Sequence, residues 1–338
     1  MLSFVIVGSG YRAEYFGRVA ATYPELFRCL FLCRSEEKIA RMKKNTGMNA
    51  TMKEEDCIAF EPDFIVIAVD YEHIADEALR WAGKGYPVLT ETPVGSSWEK
   101  LALLEECAAK GGKIATCEQY HRHPLLAAGF QAVRDGLIGT PSSAYLSMVH
   151  DYHAASLIRR MLLTDGDSYQ IHAVSRHNQV MESDSRYGAI LDGSMKEVQR
   201  DTALITYASG KTAIYDFSSI QYRTYIRFRH LSVRGTLGEW SDGTILYMDE
   251  AHRPQRKMLT RDLPEAYRCL DTQSLRDIRR SCQTELCPGT LDDEYAIASI
   301  LLDMGAYIAG GPSPYPLEEA LEDARFTLRL KEALKQGQ

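Results

Sequence analysis

The chain has 338 residues, enough for two domains that each bury a core, and its 45% apolar and 25% charged composition is that of an ordinary globular protein. A net charge of −7 argues against nonspecific binding to nucleic acid or to an anionic membrane surface, and no apolar run approaches the roughly 20 residues of a membrane span. The strand pattern starts at the first residues, so no secretory signal is expected, and eight cysteines without a C-x-x-C pair fit a reduced, cytoplasmic chain. Cys282 and Cys287 have no His or Cys nearby at ligand spacing, so no metal is expected.

Residues 3–7, SFVIV, form a short apolar run rich in β-branched side chains, the pattern of an interior parallel strand. Gly8, Gly10 and Ala13 follow at the spacing G-x-G-x-x-A. The first glycine permits a tight turn, the second lets backbone N–H groups approach a pyrophosphate, and the small Ala13 lets the next helix lie close to the strand. Tyr15, Phe16, Val19 and Ala20 share one helical stripe, so this helix lies on a sheet with its N-terminus facing the anion. A turn without a ligand is the plain alternative, but the strand before it and the helix after it supply the context that a dinucleotide site requires. Gly8, Ser9, Gly10, Tyr11 and Arg12 are therefore candidate cofactor contacts.

Residues 28–33 read as a second strand, followed by a helix start at Arg34, Ser35, Glu36 and Glu37. An NAD-selective turn carries Asp or Glu at the end of this strand for the ribose 2′-hydroxyl. Cys33, Arg34 and Ser35 stand there instead, and a guanidinium beside a hydroxyl suits a 2′-phosphate, so the cofactor is NAD or NADP with the balance towards NADP. Arg34 could equally be a solvated helix-start residue.

Residues 63–69, DFIVIAV, are a buried strand, and Ile74, Ala75, Ala78, Leu79 and Ala82 mark the helix behind it. Tyr71 and His73, between the two, are candidate cofactor contacts or ordinary loop residues. Gly85, Tyr86 and Pro87 break the chain before a short strand over residues 88–90, which ends in Glu91-Thr92-Pro93. Ser96 and Glu99 make a capping box for a helix carrying Leu101, Leu104 and Ala108, which stops at Gly111-Gly112. Residues 113–117 are the next strand, leading into Gln119, Tyr120, His121, Arg122 and His123. Strands and helices alternating at this spacing imply a parallel, doubly wound sheet of Rossmann type with right-handed crossovers. Ligands of such sheets bind beyond the carboxyl ends of the strands, so Glu91 and Gln119 join the candidate cofactor residues.

Past Gly139 β patterns dominate. Residues 143–149 are a strand, and HDYHAASLIRRML follows with Leu157, Ile158, Met161 and Leu162 on a helical stripe. Residues 202–207 and 212–217 flank a Ser209-Gly210 turn as a hairpin. Residues 222–234 read as one long strand that sets Arg223, Arg227 and Arg229 on one face, to hold a carboxylate or phosphate or, more ordinarily, as a solvated surface. Helices over about residues 292–308 and 317–334 close the chain around the breaker run GGPSPYP. The expected fold class is α/β: an N-terminal Rossmann domain over residues 1–120, then an α+β domain with an antiparallel sheet over residues 121–338, whose last helices pack back on the first domain.

These landmarks together resemble the glucose-fructose oxidoreductase/inositol dehydrogenase family, often called Gfo/Idh/MocA. GSGYRA at 8–13, ETP at 91–93, RHP at 122–124, DYH at 151–153 and VRGTLGEW at 233–240 stand in that order over nearly the whole chain. The resemblance implies an open-faced antiparallel sheet, homo-oligomers built through it, and hydride chemistry on sugars or polyols. The family's Glu-Lys-Pro signature reads Glu91-Thr92-Pro93 here. A threonine hydroxyl can position a substrate oxygen but is no base near neutral pH.

The family's Asp-x-Gly-x-His signature, whose histidine is the implied proton acceptor, is matched by His153, with Val149 at the aspartate position and Asp151 at the glycine position. His153, Asp151, Tyr152 and Thr92 are therefore the candidate catalytic residues, with Asp151 or Tyr152 orienting the imidazole. The plain alternative for His153 is a helix-start residue that caps backbone groups. With the lysine absent, Tyr120, His121 and His123 are further candidates for proton transfer, and one of Arg159 and Arg160 for facing a substrate.

The expectation is an NAD(P)-dependent oxidoreductase acting on a sugar, sugar derivative or polyol at a secondary hydroxyl. Two alternatives stand beside it. One is a redox-neutral glycosidase with a retained nucleotide, in which His150, Asp151, Tyr152 and His153 handle two protons. The other is a catalytically inactive dinucleotide- or sugar-binding regulator, favoured by the missing lysine and disfavoured by the retained His153.

Overall fold

Phe4, Val5 and Ile6 have no exposed surface, as a strand covered on both faces requires. They centre β1 (Leu2–Val7) in the computed structural model, which describes residues 1–185, 188–262, 264–267, 269–270 and 291–337. With β2 (Phe27–Leu32), β3 (Asn49–Thr51), β4 (Phe64–Ile67), β5 (Val88–Thr90) and β6 (Ile114–Thr116) it forms a six-stranded sheet of order β3-β2-β1-β4-β5-β6, parallel throughout. The strand order reverses between β1 and β4, the switch point at which doubly wound sheets bind ligands. The crossovers are α1 (Tyr11–Thr22), α2 (Glu36–Thr46), α3 (Glu54–Ala59), α4 (Ile74–Ala82) and α5 (Trp98–Ala109).

Local chemistry sets the helix ends. Ser35 caps α2 by accepting the Lys38 N–H, and Gly47 closes it at φ +74°. Ser97, not Ser96, caps α5: its hydroxyl accepts the Lys100 N–H at 3.3 Å, which moves Glu99 out of capping-box register. Two adjacent serines are chemically equal caps, so their order in the sequence does not select between them.

This first unit also takes in the chain's later helices, α8 (Leu291–Ile308) and α9 (Leu317–Gln336) as far as Arg325. The Thr116 N–H donates to Tyr315 O at 3.2 Å, tying the breaker run to β6.

The second unit opens at Tyr120. Its strands are β7 (Pro141–Ser147), β8 (Tyr169–Met181), the two-residue ribbon β9 (Asp184–Ser185) and β10 (Gly188–Ala189), β11 (Met195–Tyr207), β12 (Thr212–Phe217), β13 (His230–Gly235), β14 (Gly238–Ser241), β15 (Thr244–Met248) and β16 (Pro254–Met258). Eight of them make a sheet of order β16-β15-β14-β13-β7-β12-β11-β8, antiparallel except for the β7–β12 pair. One face shares a core with α6 (Pro124–Arg134), α7 (Asp151–Leu162) and the end of α9, through residues such as Leu146, Leu157, Tyr215, Trp240, Phe326 and Leu330. Gly129 of α6 lies against Trp240 so closely that a Cβ would stand 2.0 Å from the indole. Strand alternation sends Leu204 and Ile214, both exposed, to the other face.

The long strand expected over residues 222–234 is present only from His230. Ser219–Tyr222 is instead a 3-10 turn. The segment after it is held by the Gln221 side-chain amide, which donates to Ser147 O (3.2 Å), Ser147 Oγ (3.0 Å) and Phe228 O (2.8 Å). A buried amide that satisfies loop carbonyls replaces the strand ladder, and Arg223, Arg227 and Arg229 share no strand face. Cys282 and Cys287 lie outside the described residues. No helix among the described residues is long and apolar enough to cross a membrane.

Candidate functional site

Parallel strands place their carboxyl ends on one edge, and the first unit's candidates follow those ends. Gly8 to Arg12 come after β1, Tyr71 and His73 after β4, Glu91 and Thr92 after β5, and Gln119 after β6. Gly8 sits at φ +130°, where a Cβ would stand 2.2 Å from Ala68 O, so the approach of the β1 and β4 ends demands glycine. Among the described residues nothing lies within 4 Å of a Cβ built on Gly10, and no side chain caps the first turn of α1. The amides of that turn therefore border a space that any side chain on Gly10 would fill. Gln119 is 2% exposed, and its Oε1 has no hydrogen-bond partner among the described residues, a desolvated acceptor that a ligand donor would satisfy. These features fit a dinucleotide.

Two of the candidates in this unit are partners of each other. Arg12 donates to Glu91 Oε1 at 3.0 Å, with Asp293 of α8 at 3.8 Å. Burial opposes the charge, yet Glu91 and Asp293 hold the Arg12 guanidinium well above its ordinary pKa. Arg41 of α2, which the sequence reading passed over, donates to Ser9 O inside the glycine turn and lies 3.7 Å from Glu14. The Ser35 hydroxyl serves as the α2 cap, Arg34 is exposed, and Tyr71 and His73 stand exposed on a 3-10 turn. The Tyr11 and Tyr15 hydroxyls are 2.9 Å apart.

In the second unit the first turn of α7 delivers Asp151, Tyr152 and His153 together. His153 is 6% exposed, and its ring meets Tyr152 and Tyr120 at 4.5 Å each, the Tyr120 contact edge-on. Tyr120 also meets His123 at 4.9 Å. His150, just before the helix, stacks on Tyr152 (5.7 Å) and touches Phe217 (5.4 Å) and Tyr222 (5.0 Å).

Burial, helped by nearby His153, pushes the His150 imidazole down to about 4, so it is neutral at physiological pH. Burial and then the guanidinium groups of Arg160 and Arg122 push His121 well below its ordinary value. Both rings can hydrogen-bond but are poor proton acceptors. Burial raises the Asp151 carboxyl, against the opposing pull of Lys331 and of the Tyr152 N–H at 3.0 Å. Burial and then Asp151 raise the Tyr215 phenol, which keeps its proton. Arg159 is engaged by Asp165 at 2.9 Å. Tyr222 reaches the start of α7 from 72 positions away, and nothing local to it in sequence points there.

No family model matches the chain, and no curated protein matches it in sequence. Solved structures do match. An oxidoreductase from Agrobacterium radiobacter in complex with NAD+, L-tartaric acid and magnesium has a TM-score of 0.73 at 13% identity, over 100% of this chain and 97% of that one. The chain has an NAD-binding oxidoreductase's fold. Levoglucosan dehydrogenase in complex with NADH and levoglucosan follows at 0.72 and 14%, over 100% and 98% of the two chains. UDP-N-acetylglucosamine 3-dehydrogenase from Acidithiobacillus ferrooxidans follows at 0.67 and 14%, over 99% and 98%. These matches span nearly the whole chain and agree with the fold that the motifs' resemblance implies.

Proposed function

We propose that the chain is an NAD(P)-dependent oxidoreductase that transfers hydride at a secondary hydroxyl of a sugar, sugar derivative or polyol, with His153 as proton acceptor. The observation that carries this reading is the glycine turn at the switch point, where the space over Gly10 borders an uncapped helix start. The nucleotides and sugars held by the similar structures support it.

When bound, the nicotinamide supplies the hydride acceptor or donor. The amides of the glycine turn, from Gly8 to Tyr11, receive the pyrophosphate, and Arg12, fixed by Glu91, adds positive field beside them. Gln119 Oε1 accepts a hydrogen bond from the nucleotide. Arg34 and Ser35 with Arg41 favour a 2′-phosphate and hence NADP, and Tyr71 and His73 flank the nucleotide. Thr92 orients a substrate oxygen, and an imidazole nitrogen of His153, restrained between the Tyr120 and Tyr152 rings, takes the hydroxyl proton. The first unit is the nucleotide-binding part and the second the substrate part. Exposed Leu204 and Ile214 support a homo-oligomer through the outer sheet face, and the free cysteines among the described residues fit the cytoplasm.

A second reading, a redox-neutral glycosidase that keeps its nucleotide, is favoured by Asp151. Burial raises its carboxyl, which gives the same helix turn a second acid–base group beside His153.

The test is made on protein as purified. Any bound nucleotide is released and identified by mass, and nicotinamide absorbance is followed as sugars and polyols are added to intact protein. Reduction that accumulates with free NAD(P) supports the dehydrogenase. Reduction followed by reoxidation on the same protein molecule, with release of an aglycone, supports the glycosidase. A protein that binds no nicotinamide nucleotide overturns both.

A further inference from the structure

We propose that Tyr222 is a positioning residue for His153, its phenol anchoring the start of α7, and that Arg229 latches Tyr222 in place. The inference rests on the reading of His153 as proton acceptor.

Helix α7 begins without the usual closure. Ser, Thr, Asp or Asn at a helix start normally satisfies an exposed amide, but His150 occupies that position and makes no side-chain cap. The His150 backbone N–H instead donates to the Tyr222 hydroxyl at 2.9 Å, a partner 72 positions away in sequence.

Tyr222 is itself held from several sides. Its ring meets His150 at 5.0 Å and Phe217 edge-on at 5.2 Å. The Arg229 guanidinium lies 4.8 Å from its ring centre and donates to Gln221 O (3.2 Å) and Tyr222 O (3.3 Å). One arginine thus covers the ring and ties down the backbone that carries it.

The same turn grips the chain at a second point. Gln221, next to Tyr222, donates its side-chain amide to the carbonyl and the hydroxyl of Ser147, the last residue of β7, and accepts the Ser218 N–H at 3.0 Å. The link from β7 to α7 is therefore pinned at Ser147 by Gln221 and at His150 by Tyr222. His153 lies three residues past the second pin, on the first turn of the helix.

Stability and geometry separate here. Loss of one neutral hydrogen bond costs little stability, whereas a reacting group displaced by about 1 Å can lose on the order of a hundredfold in rate. A phenol that aims a histidine shows itself in the behaviour of that histidine more than in the melting temperature.

The variant Tyr222→Phe keeps the ring and the Arg229 contact and removes only the hydroxyl. Tyr145→Phe, which removes the phenol that donates to Asp216 at 2.9 Å elsewhere in the same unit, is the control. Two readouts need no substrate: hydrogen exchange of the first-turn amides of α7, and the NMR titration of the His153 imidazole. Tyr222→Phe is expected to speed exchange at those amides on the order of tenfold and to move the His153 titration, while nucleotide affinity stays unchanged and Tyr145→Phe does neither. With a sugar that reduces the nucleotide, kcat is expected to fall about tenfold with KM for nucleotide unchanged. Arg229→Met is expected to move the same readouts in the same direction by less, and it stands in if Tyr222→Phe fails to fold.

Wild-type exchange and titration in both variants overturn the proposal. Full turnover in Tyr222→Phe while His153→Asn is inactive overturns the positioning role alone. Full turnover in His153→Asn overturns the proton-acceptor reading, and the positioning role falls with it.

Discussion

The glycine turn of the first unit and the histidine turn of the second each open a helix that follows a strand, yet they are assembled by opposite means. The glycine turn is made by what is left out: Gly8 has no room for a Cβ against Ala68 O, and Gly10 keeps a space clear in front of α1. The histidine turn is made by what is brought in: Tyr120, Phe217 and Tyr222 arrive from other parts of the chain to surround His150 and His153. A site built by omission is written in a few consecutive letters. A site built by convergence is not.

The largest expected effect tests the convergent side. His153→Asn should lower kcat roughly 10²- to 10⁴-fold, the usual contribution of a general base, without changing nucleotide affinity by equilibrium dialysis. Next comes His150, whose folded-state value near 4 lies below its ordinary 6.5. The native state excludes a proton that the unfolded chain binds, so the stability is complete above pH 6.5 and is lost as pH falls from 6.5 towards 4. The loss is at most about 3 kcal/mol. His150→Phe should move the acid-unfolding midpoint to lower pH, and an unmoved midpoint would show that the ring titrates freely.

The two glycines sharpen the comparison further. Gly8→Ala should cost about 1–3 kcal/mol in a denaturant titration, because its φ of +130° and the carbonyl 2.2 Å away leave no relaxed position for a Cβ. Gly10→Ala should leave the melting temperature in place and weaken nucleotide binding about tenfold, equivalent to roughly 1.4 kcal/mol. Equal melting losses in both variants would mean that Gly10 serves packing and not a ligand. The smallest effect is expected from Asp151→Asn. The buried carboxyl titrates above its ordinary value, so it contributes stability at low pH that disappears as pH rises through the folded value. The variant should therefore melt slightly higher than the parent at mildly alkaline pH, with the gain vanishing in acid.

This contrast also explains which parts could be read in advance. DFIVIAV announced β4, and the stripe of Tyr15, Phe16, Val19 and Ala20 announced α1, because burial on both faces of a strand or on one stripe of a helix is a local pattern. The strand β8 and the first half of β11, residues 195–201, carry no legible signal because much of each is exposed on both faces, which erases alternation, whereas residues 202–207 of β11 read as a hairpin strand and pair with β12. The row of arginines after Tyr222 looked periodic, but buried Gln221 decided the backbone there. Strand pairing was legible in the 202–207/212–217 hairpin, but side-chain pairing was not. The motifs mark Arg12 and Glu91 each as a cofactor contact, and only the folded chain joins them in an ion pair with Asp293 close by. Arg41 reaches Ser9 from a helix whose own sequence gives no hint of it.

The last helix, α9, carries a consequence for how this architecture can be divided. Its residues up to Arg325 belong to the first unit, whereas Phe326 and Leu330 complete the core of the second, with Phe326 and Arg329 meeting Tyr169 of β8. The second unit is thus no cassette. A gene fragment cut at Tyr120 and ended at Pro264 would lack two of its own core side chains, and a chain stopped at Arg325 would strip the same pair from an otherwise intact protein. Any recombination that exchanges the second unit of such a chain must carry residues 326–338 with it, although β8, against which they pack, lies more than a hundred positions upstream.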